Sequence, residues 1–444
     1  MAKMKQYIDF FNTQRKQIDA NCSPLLNSYR DAAFASFEEK SFPVYKSEEY
    51  QHTNISQLLE SDFGFYLGYK GETMDPHKVF HCHVPNLSSS LHFIINGHFY
   101  DEKTKRIFPD GVFSGSLNAF ATLYPEIFSK YYNKQAGEKG NGLTAFNTMF
   151  LQDGYVLYVP ANTIVENPIQ ITNIFKGNID ALINRRILII MEAGAQAKLL
   201  VCDHSMEEEP LFAVTQVAEM FVEENAILDF YELEESSKRT IRLTENYICQ
   251  KSSSNVIVNT ITLSNGTTRN NYQIDLNGEY AETYLYGMAI ADDIQKIDNH
   301  SLINHNVPNC HSSELFKYIL DDQAVGIFSG KIVVAQNAQK TQAYQNNKNL
   351  LGSRECRMYS KPQLIINADD VKCSHGMTTG QLDEIALFYM RSRGIPREEA
   401  ILLLKYAFTD DVIQGIRLDI LKERLKKLVE KRFRGELVRC QGCI

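Results

Sequence analysis

The chain has 444 residues, of which 23% are charged and 44% hydrophobic, and its formal net charge is −8. This length exceeds what one small core can fill, so we expect two or three structural units. The acidic balance, without a recurring Lys/Arg block, disfavours a nucleic-acid partner. No apolar stretch reaches membrane-spanning length and the start does not resemble a signal peptide. We therefore expect a cytoplasmic protein without membrane association, whose nine cysteines are thiols.

Residues 1–150 form the first predicted unit, and their pattern is mainly helical. Apolar side chains recur at helical spacing over residues 3–37, where Pro24 is expected to separate two helices. A further helical stretch is predicted over residues 117–131. The polar, glycine-containing segment 135–141 predicts a loop.

Residues 151–375 have a different pattern, because short runs there are apolar throughout or alternate apolar with polar residues. Such runs, rich in β-branched and aromatic residues, predict strands. Almost no helical stretch interrupts them, which argues against an alternating α/β fold. A sandwich, a barrel and a β-solenoid all remain open, and no fixed-length repeat is visible. The clearest runs are 155–159, 186–190, 197–201, 226–230, 255–258 and 273–277.

Residues 376–444 form the third predicted unit, with three helical stretches. The first helix is expected to end at Gly394, and the second to open at Pro396. Thr409 is a plausible N-cap for the third helix. This pattern fits either a small helical bundle or a module that docks a partner.

Two clusters of metal-binding residue types stand apart from these elements. His77, His81, Cys82 and His83 form a dense patch, in which His81 and His83 would share one side of a strand as a workable metal pair. A metal site normally needs three or four ligands, and no acidic partner is placed by the sequence. Cys440 and Cys443 form a Cys-x-x-Cys pair near the C-terminus that could act as a dithiol or a transient ligand. The simpler interpretations are a structural role for the histidine patch and a solvent-facing C-terminal tail that carries Cys440 and Cys443. No dinucleotide-binding, P-loop or serine-hydrolase motif is present.

Cys373 and His375 form the most informative pair. On a strand, side chains two residues apart share a face. A thiolate and an imidazole together would make half of an iron or zinc site. A buried cysteine beside a hydrogen-bonded histidine is the structural alternative.

A longer signature surrounds this pair. The run Ala368–Asp383, followed by Leu387–Ile395, closely resembles the C-terminal signature of the SufB/SufD family of the SUF iron–sulfur cluster assembly system. Within that run, Cys-Ser-His-Gly at 373–376 resembles the SufD version of the signature. The segments 328–332, 338–343 and 349–351 resemble the family as well.

The resemblance implies a mainly β fold, in which a right-handed parallel β-helix over residues 151–375 is flanked by a helical N-terminal domain (1–150) and a helical C-terminal domain (376–444). It also implies a non-catalytic scaffold subunit without a tightly bound cofactor. Its partners would be a SufB-like paralogue and a SufC-like ABC ATPase. Sulfur would arrive from a cysteine desulfurase through the paralogue. A homodimer is the expected state of the isolated chain if pairing can occur without the paralogue.

The same resemblance assigns roles to residues. The two β-helices would pair through their C-terminal ends near Cys373 and His375, where a transient iron–sulfur cluster would assemble. We rank His375 above Cys373 as a transient metal ligand, because imidazole is largely neutral at cytoplasmic pH whereas burial disfavours a thiolate. The C-terminal helical domain would hold the ATPase, and the residues expected to dock it are Phe388, Tyr389, Arg393, Gly394 and Phe408.

Two other classes of function are compatible with a β-helix. Polysaccharide lyases and hydrolases use this fold, but they are usually secreted and carry a catalytic cluster of charged residues, which the sequence does not display. A plain structural scaffold without any chemistry is the second alternative. Substitution of His375 distinguishes that scaffold from an assembly site.

Overall fold

A parallel β-solenoid of about eight turns forms the centre of the protein, which is 41% strand and 26% helix. The structure is a computed structural model, and it describes residues 2–67, 90–100 and 108–436. The predicted mainly β class and parallel β-helix core are confirmed. Among these residues, no helix is both long enough and apolar enough to cross a membrane.

Two ten-stranded sheets, named A and B, face each other across the solenoid. The strands of sheet A are β1 (Gly64–Phe65), β4 (Phe113–Ser116), β5 (Tyr155–Val159), β7 (Ala181–Met191), β9 (Phe212–Val222), β11 (Ile241–Gln250), β13 (Thr267–Leu276), β15 (Lys296–His305), β17 (Val325–Val334) and β19 (Arg357–Ile366). The strands of sheet B are β2 (Leu91–Ile95), β3 (His98–Tyr100), β6 (Ile169–Phe175), β8 (Gln196–Ser205), β10 (Ile227–Glu235), β12 (Asn255–Ser264), β14 (Glu282–Ala291), β16 (His311–Leu320), β18 (Gln342–Leu351) and β20 (Lys372–Gly380). From β5 onward the chain alternates between the sheets, and each strand pairs in parallel with the strand one turn later.

One corner of each turn is marked by a residue in the left-handed region. Asparagine and glycine enter this region at little cost, and the corner N–H groups bond to the next turn. The Asn162 N–H donates to Ala193 O at 2.8 Å, and the Asn309 N–H to Gln339 O at 2.9 Å. Successive corner residues are 27 to 32 positions apart: Asn162, Gly194, Asn225, Ser253, Tyr280, Asn309 and Lys340.

The interior of the solenoid contains a network of buried polar side chains beside its apolar core. Arg185 lies 2.6 Å from Asp203, and Arg242 bridges Asp203 at 2.9 Å and Glu232 at 2.7 Å. Burial would raise the pKa of Asp203, but the two guanidinium groups lower it to about 2. Arg242 also donates to Asn270 at 2.8 Å, and this hydrogen bond extends the network towards later turns. Because the charges are paired across the two sheets, the network ties sheet A to sheet B.

The N-terminal helices cover the outer face of sheet A. Aromatic and aliphatic side chains of these helices pack on the apolar outward residues of β7, β9 and β11. Pro24 begins a separate helix, as predicted, and Pro125 likewise begins a new one. The helices are α1 (Ala2–Asp19), α2 (Pro24–Asn27), α3 (Arg30–Lys40), α4 (Ile55–Leu58), α5 (Leu117–Leu123), α6 (Pro125–Tyr131), α7 (Lys134–Lys139) and α8 (Gly142–Phe150).

Helix α7 lies where the sequence predicted a loop over residues 135–141, so that prediction was wrong. The buried carboxylate of Glu219, on β9, accepts from the backbone N–H of Asn133 at 2.8 Å and of Ala136 at 3.1 Å. A carboxylate at a helix N-terminus satisfies N–H groups that have no partner within the helix. This tertiary contact stabilises a helix that local composition disfavours.

The C-terminal helices are α9 (Glu384–Ser392), α10 (Arg397–Gln414) and α11 (Asp419–Phe433), and two of them cover the outer face of sheet B. Helix α11 buries Leu421, Leu425 and Leu428 there, together with the last turn of α10. The predicted N-cap role of Thr409 was wrong. Its hydroxyl donates to Tyr406 O at 2.7 Å within α10, which continues to Gln414.

Candidate functional site

The C-terminal end of the solenoid is open. Strands β19 and β20 are the last members of their sheets, and no other strand of the described residues pairs with their outer edges. Most side chains of β20 are exposed, whereas those of β18, one turn earlier, are mostly buried or half-buried. Unpaired strand edges present free N–H and C=O groups that can pair with another chain.

Cys373 and His375 lie on β20 at this open end. Cys373 pairs in register with Ala343, and His375 pairs with Gln345. Ala343 belongs to the solenoid core and Cys373 packs against that core, so both residues of the pair are on the inward face of the strand. Cys373 is half-buried, and burial raises the pKa of its thiol. His375 is exposed, because no later turn covers it.

Two buried polar side chains lie beneath His375. The Gln345 amide nitrogen Nε2 donates to Oε2 of Glu314, on β16, at 2.6 Å. Burial raises the pKa of Glu314 to about 7. Gly330, across the interior on sheet A, leaves room for this amide, since a Cβ atom there would lie 2.2 Å from Gln345 Nε2.

Further polar side chains line the interior of the last turn. The Asn347 side-chain oxygen accepts from Asn349 and from the Ser360 hydroxyl, both at 2.7 Å. Asn349 also donates to the Thr379 hydroxyl at 3.0 Å. Polar side chains thus line the interior up to the open end.

A cavity of about 450 Å³ lies beside this end, between sheet A and the segment 48–52. The His52 ring stacks on Tyr359 of β19, with ring centroids 4.0 Å apart. Thioether, hydroxyl and aromatic groups line the cavity, among them His52, Phe328, Met358, Tyr359, Met377 and Thr379.

Contacts with a buried ion pair of sheet A hold that segment and the adjoining Thr53 in place. Arg269 lies over the Tyr50 ring at 3.9 Å and donates to Asp298 at 2.7 Å. The Thr53 hydroxyl donates to the same carboxylate, and His300 Nε2 lies 2.8 Å from it. Burial would raise the pKa of Asp298, but Arg269 and His300 hold it well below its usual range.

Helix α9 presents an apolar face to solvent. Ile385 is 80% exposed and Phe388 is 72% exposed, and Tyr389 follows on the same face. The Arg393 guanidinium stacks on the Tyr389 ring at 5.2 Å, and Gly394, at a φ of +87°, follows the helix end. These positions were predicted to dock a partner.

Phe408 has different surroundings from the other predicted docking residues. It lies in α10 and is half-buried, with Lys317 Nζ 4.9 Å from its ring centroid. Lys317 also donates to Phe408 O at 2.7 Å. These contacts fasten α10 to β16, so less of Phe408 than of Phe388 is open to another protein.

The remaining predicted clusters lie elsewhere. His77, His81 and His83, as well as Cys440 and Cys443, fall outside the described residues. Within residues 2–67, 90–100 and 108–436, no three side chains of His, Cys, Asp or Glu come together in an arrangement that could hold a metal ion.

Sequence reasoning missed Glu314 and Gln345. Glu314 pairs in register with Gln345, and Gln345 with His375, and each lies about 30 positions before its partner in the next turn. A polar residue repeated at the interval of one turn would have been the signal, had the turn length been known.

Comparisons with known proteins agree with this architecture. The family model described as SUF system FeS cluster assembly, SufBD core domain, matches residues 174–408, and the SufBD protein N-terminal region matches residues 1–171. An iron–sulfur cluster assembly SufBD family protein of Synechocystis is 30% identical over 405 residues, which cover 88% of this chain and 87% of the relative.

Two relatives are named iron–sulfur cluster assembly protein SufD. The protein from Escherichia coli is 36% identical over 173 residues, covering 39% of this chain and 41% of the relative. The protein from Bacillus subtilis is 26% identical over 329 residues, covering 73% and 74%. The chain therefore belongs to the SufB/SufD family of the SUF iron–sulfur cluster assembly system and is SufD-like.

Proposed function

We propose that this protein is a non-catalytic scaffold subunit of a cytoplasmic, ATP-driven complex that assembles iron–sulfur clusters. It pairs with a SufB-like paralogue and binds one subunit of a SufC-like ABC ATPase. Sulfur reaches the paralogue from a cysteine desulfurase, and the cluster is cargo that occupies the junction of the two subunits transiently.

The observation that carries this proposal is the open C-terminal end of the solenoid. A solenoid end must be capped or paired, because its last turn leaves both strand edges and interior side chains uncovered. Here β19 and β20 have no such cover within the described residues, and the interior behind them is polar. A second solenoid of the same family is a fitting cover, and a second copy of this chain would serve in isolation.

His375 is the side chain best suited to act at that junction. It is exposed on the inward face of the last strand, so a paired subunit would enclose it. A neutral imidazole nitrogen binds iron. Cys373 is less suited, because burial raises its pKa and keeps the thiol protonated. His375 supplies one ligand to the nascent cluster, and the paralogue supplies the others.

Helix α9 is the proposed ATPase-docking element. Its exposed Ile385 and Phe388 resemble the apolar anchors of protein interfaces. Helices α10 and α11, in contrast, bury their apolar residues on sheet B. Point substitutions in α9 are therefore a cleaner test of docking than removal of all three helices, which would expose sheet B. When the ATPase subunits dimerise on ATP, the helical domains would be drawn together and the junction strained.

The test uses the complex purified with its paralogue and ATPase and supplied with iron, cysteine and the desulfurase. In this complex, His375→Ala is expected to lower the rate of cluster formation, followed by iron–sulfur absorbance, at least tenfold. The thermal melt should not change, since the side chain is exposed. Cys373→Ser is expected to have a milder effect.

The matched control is His311→Ala, which removes an outward-facing histidine of the same sheet. It should assemble clusters at the wild-type rate. A His375→Ala complex that melts normally and assembles clusters as fast as the wild type would refute the assignment. Joint loss of stability and cluster yield would indicate a structural role instead.

A further inference from the structure

One inward row of sheet B changes its chemistry along the solenoid. Each member pairs in register with the next, one turn later. The first four members are fully buried apolar side chains, and the last three are polar. In order, the row reads Leu199, Phe230, Val258, Leu285, Glu314, Gln345 and His375.

The Gln345 amide has a defined orientation within this row. Its nitrogen donates back to Glu314 at 2.6 Å, towards the preceding turn. Its oxygen, Oε1, is buried and accepts no hydrogen bond from the described residues. Since the two polar atoms of a carboxamide point to different sides, the oxygen is turned away from Glu314, and the next residue of the row on that side is His375.

The surroundings favour an amide at this position. Gly330 faces it from sheet A, and any larger residue there would collide with the amide nitrogen. A buried acceptor without a donor destabilises the fold. An imidazole N–H in the adjacent turn would remove that penalty.

We propose that Gln345 is a positioning residue for His375: once the exposed imidazole turns towards it, Oε1 accepts a hydrogen bond from one ring nitrogen, while Glu314 holds the amide in that orientation. This inference rests on the proposed function of His375. A neutral imidazole carries one N–H and one bare nitrogen, and an acceptor at one nitrogen fixes which tautomer is present. The bare nitrogen then faces the open end, available to an iron atom, and such outer partners strengthen a histidine ligand.

The direct test is the tautomer of His375 in the full-length chain, labelled with ¹⁵N-histidine and examined by long-range ¹H–¹⁵N correlation. The His375 signals are identified by their loss in His375→Asn. In the wild type we expect separate resonances for a protonated and a bare nitrogen. Gln345→Met, which keeps the length of the side chain but removes the acceptor, should give averaged resonances from two exchanging tautomers.

Two further variants keep this test decisive. Glu314→Leu restores the aliphatic residue of earlier turns and frees the Gln345 amide to rotate, so mixed tautomers are expected again. Asn349→Leu removes a polar inward side chain from the same strand but outside the row, and the His375 signals should not change. A general disturbance of the open end would alter them in this control as well.

The inference is overturned if His375 shows the same separated resonances in Gln345→Met and in the wild type. In the complex, Gln345→Met should also slow cluster formation about tenfold without lowering the melting temperature. The two proposals fail separately. A normal assembly rate in His375→Ala refutes the role of His375 in assembly, whereas the tautomer readout concerns only the contact between Gln345 and His375.

Discussion

The two ends of the solenoid differ in the arrangement of their outermost strands. At the N-terminal end, β4 turns back antiparallel to β5 and β3 antiparallel to β2, and α5 packs over the first turns. At the C-terminal end, no strand of the described residues pairs with the outer edges of β19 and β20, and polar side chains line part of the last turn. At the first end the chain supplies antiparallel strands that finish both sheets and a helix that packs beside them, whereas the second end resembles one half of an interface.

This difference separates stability from function within one architecture. The N-terminal end buries apolar side chains under its helices, so its residues determine whether the chain folds. An open end gives up that stabilisation and gains a surface that a partner can complete. Substitutions at the two ends should accordingly have different consequences.

The largest expected effect comes from matched aromatic truncations. Phe120→Ala, at a fully buried ring of α5, should lower the free energy of unfolding of the isolated chain by about 3–5 kcal/mol. Tyr359→Ala, at a partly exposed ring of β19, should lower it by only about 1 kcal/mol. Urea denaturation followed by circular dichroism measures both. Equal losses would contradict the contrast between the ends.

Helix α9 directly follows β20, the last strand of the open end. Substitutions on its exposed apolar face should affect binding rather than folding. The double substitution Ile385→Asp and Phe388→Asp is expected to weaken ATPase binding about 100-fold, because charges replace two apolar anchors. Calorimetric titration with the ATPase measures the affinity. Ile294→Asp, at an 81% exposed residue on a solenoid turn, is the control that should bind normally. Unchanged affinity in the double variant would remove α9 from the docking surface.

Glu314 predicts a pH dependence of stability that originates near the open end. Its pKa is raised by burial from 4.5 to about 7 in the folded chain, so folding favours its protonated form. Its contribution to stability is therefore fully present below about pH 4.5 and is lost as the pH rises through about 7. Glu314→Gln does not titrate. Relative to the wild type, it should gain about 2–3 kcal/mol between pH 4 and pH 8.

The comparison variant for this titration is Glu355→Gln, at an exposed residue. Urea melts across the pH range should show no such gain for it. If the stability profiles of Glu314→Gln and the wild type run parallel, Glu314 is not protonated in the folded chain at neutral pH.

The smallest expected effect concerns the edge of β20. The Lys372 N–H donates to Thr341 O on the β18 side, so the N–H groups of odd-numbered residues such as Met377 point to the free edge. Met377→Pro removes one of them and spares the bonds to β18, and the preceding Gly376 accommodates the ring. Pairing with the paralogue should weaken about tenfold in sedimentation experiments. Met377→Ala, which keeps the N–H, should pair more tightly than Met377→Pro, and equal affinities would exclude pairing through this edge.

The sequence carried the fold class but not the geometry of the turns. The run 155–159 coincides with β5, and 186–190 lies within β7. The turns escaped notice because they vary from 27 to 32 residues and their corners use Asn, Gly, Ser, Tyr and Lys. In β7 the apolar–polar alternation could not show which residues face inward, because all its residues are buried. Helices cover the outer face of this strand and the core covers the inner one.

The candidate site was predicted in part. The spacing of Cys373 and His375 placed both on one face of a strand, and the structure has this arrangement. Glu314 and Gln345 could not be connected to them without knowing the length of a turn. Likewise, Arg185 and Arg186 are adjacent and both fully buried, but one pairs inward with Asp203 and the other outward with Glu219. Only tertiary structure distinguishes these two environments.

The stacking of turns in chain order has a consequence for biosynthesis. Each strand of the solenoid forms its ladder on the strand one turn before it, so a finished turn is the template for the next. Ribosomes add about 5–20 residues per second, and a turn of about 30 residues therefore emerges in roughly 1.5–6 s. The N-terminal end is translated first. The outer edge of β20 is the last part of the solenoid to be translated, when the earlier turns are already available. This order shortens the time in which an incomplete edge could pair with the wrong chain.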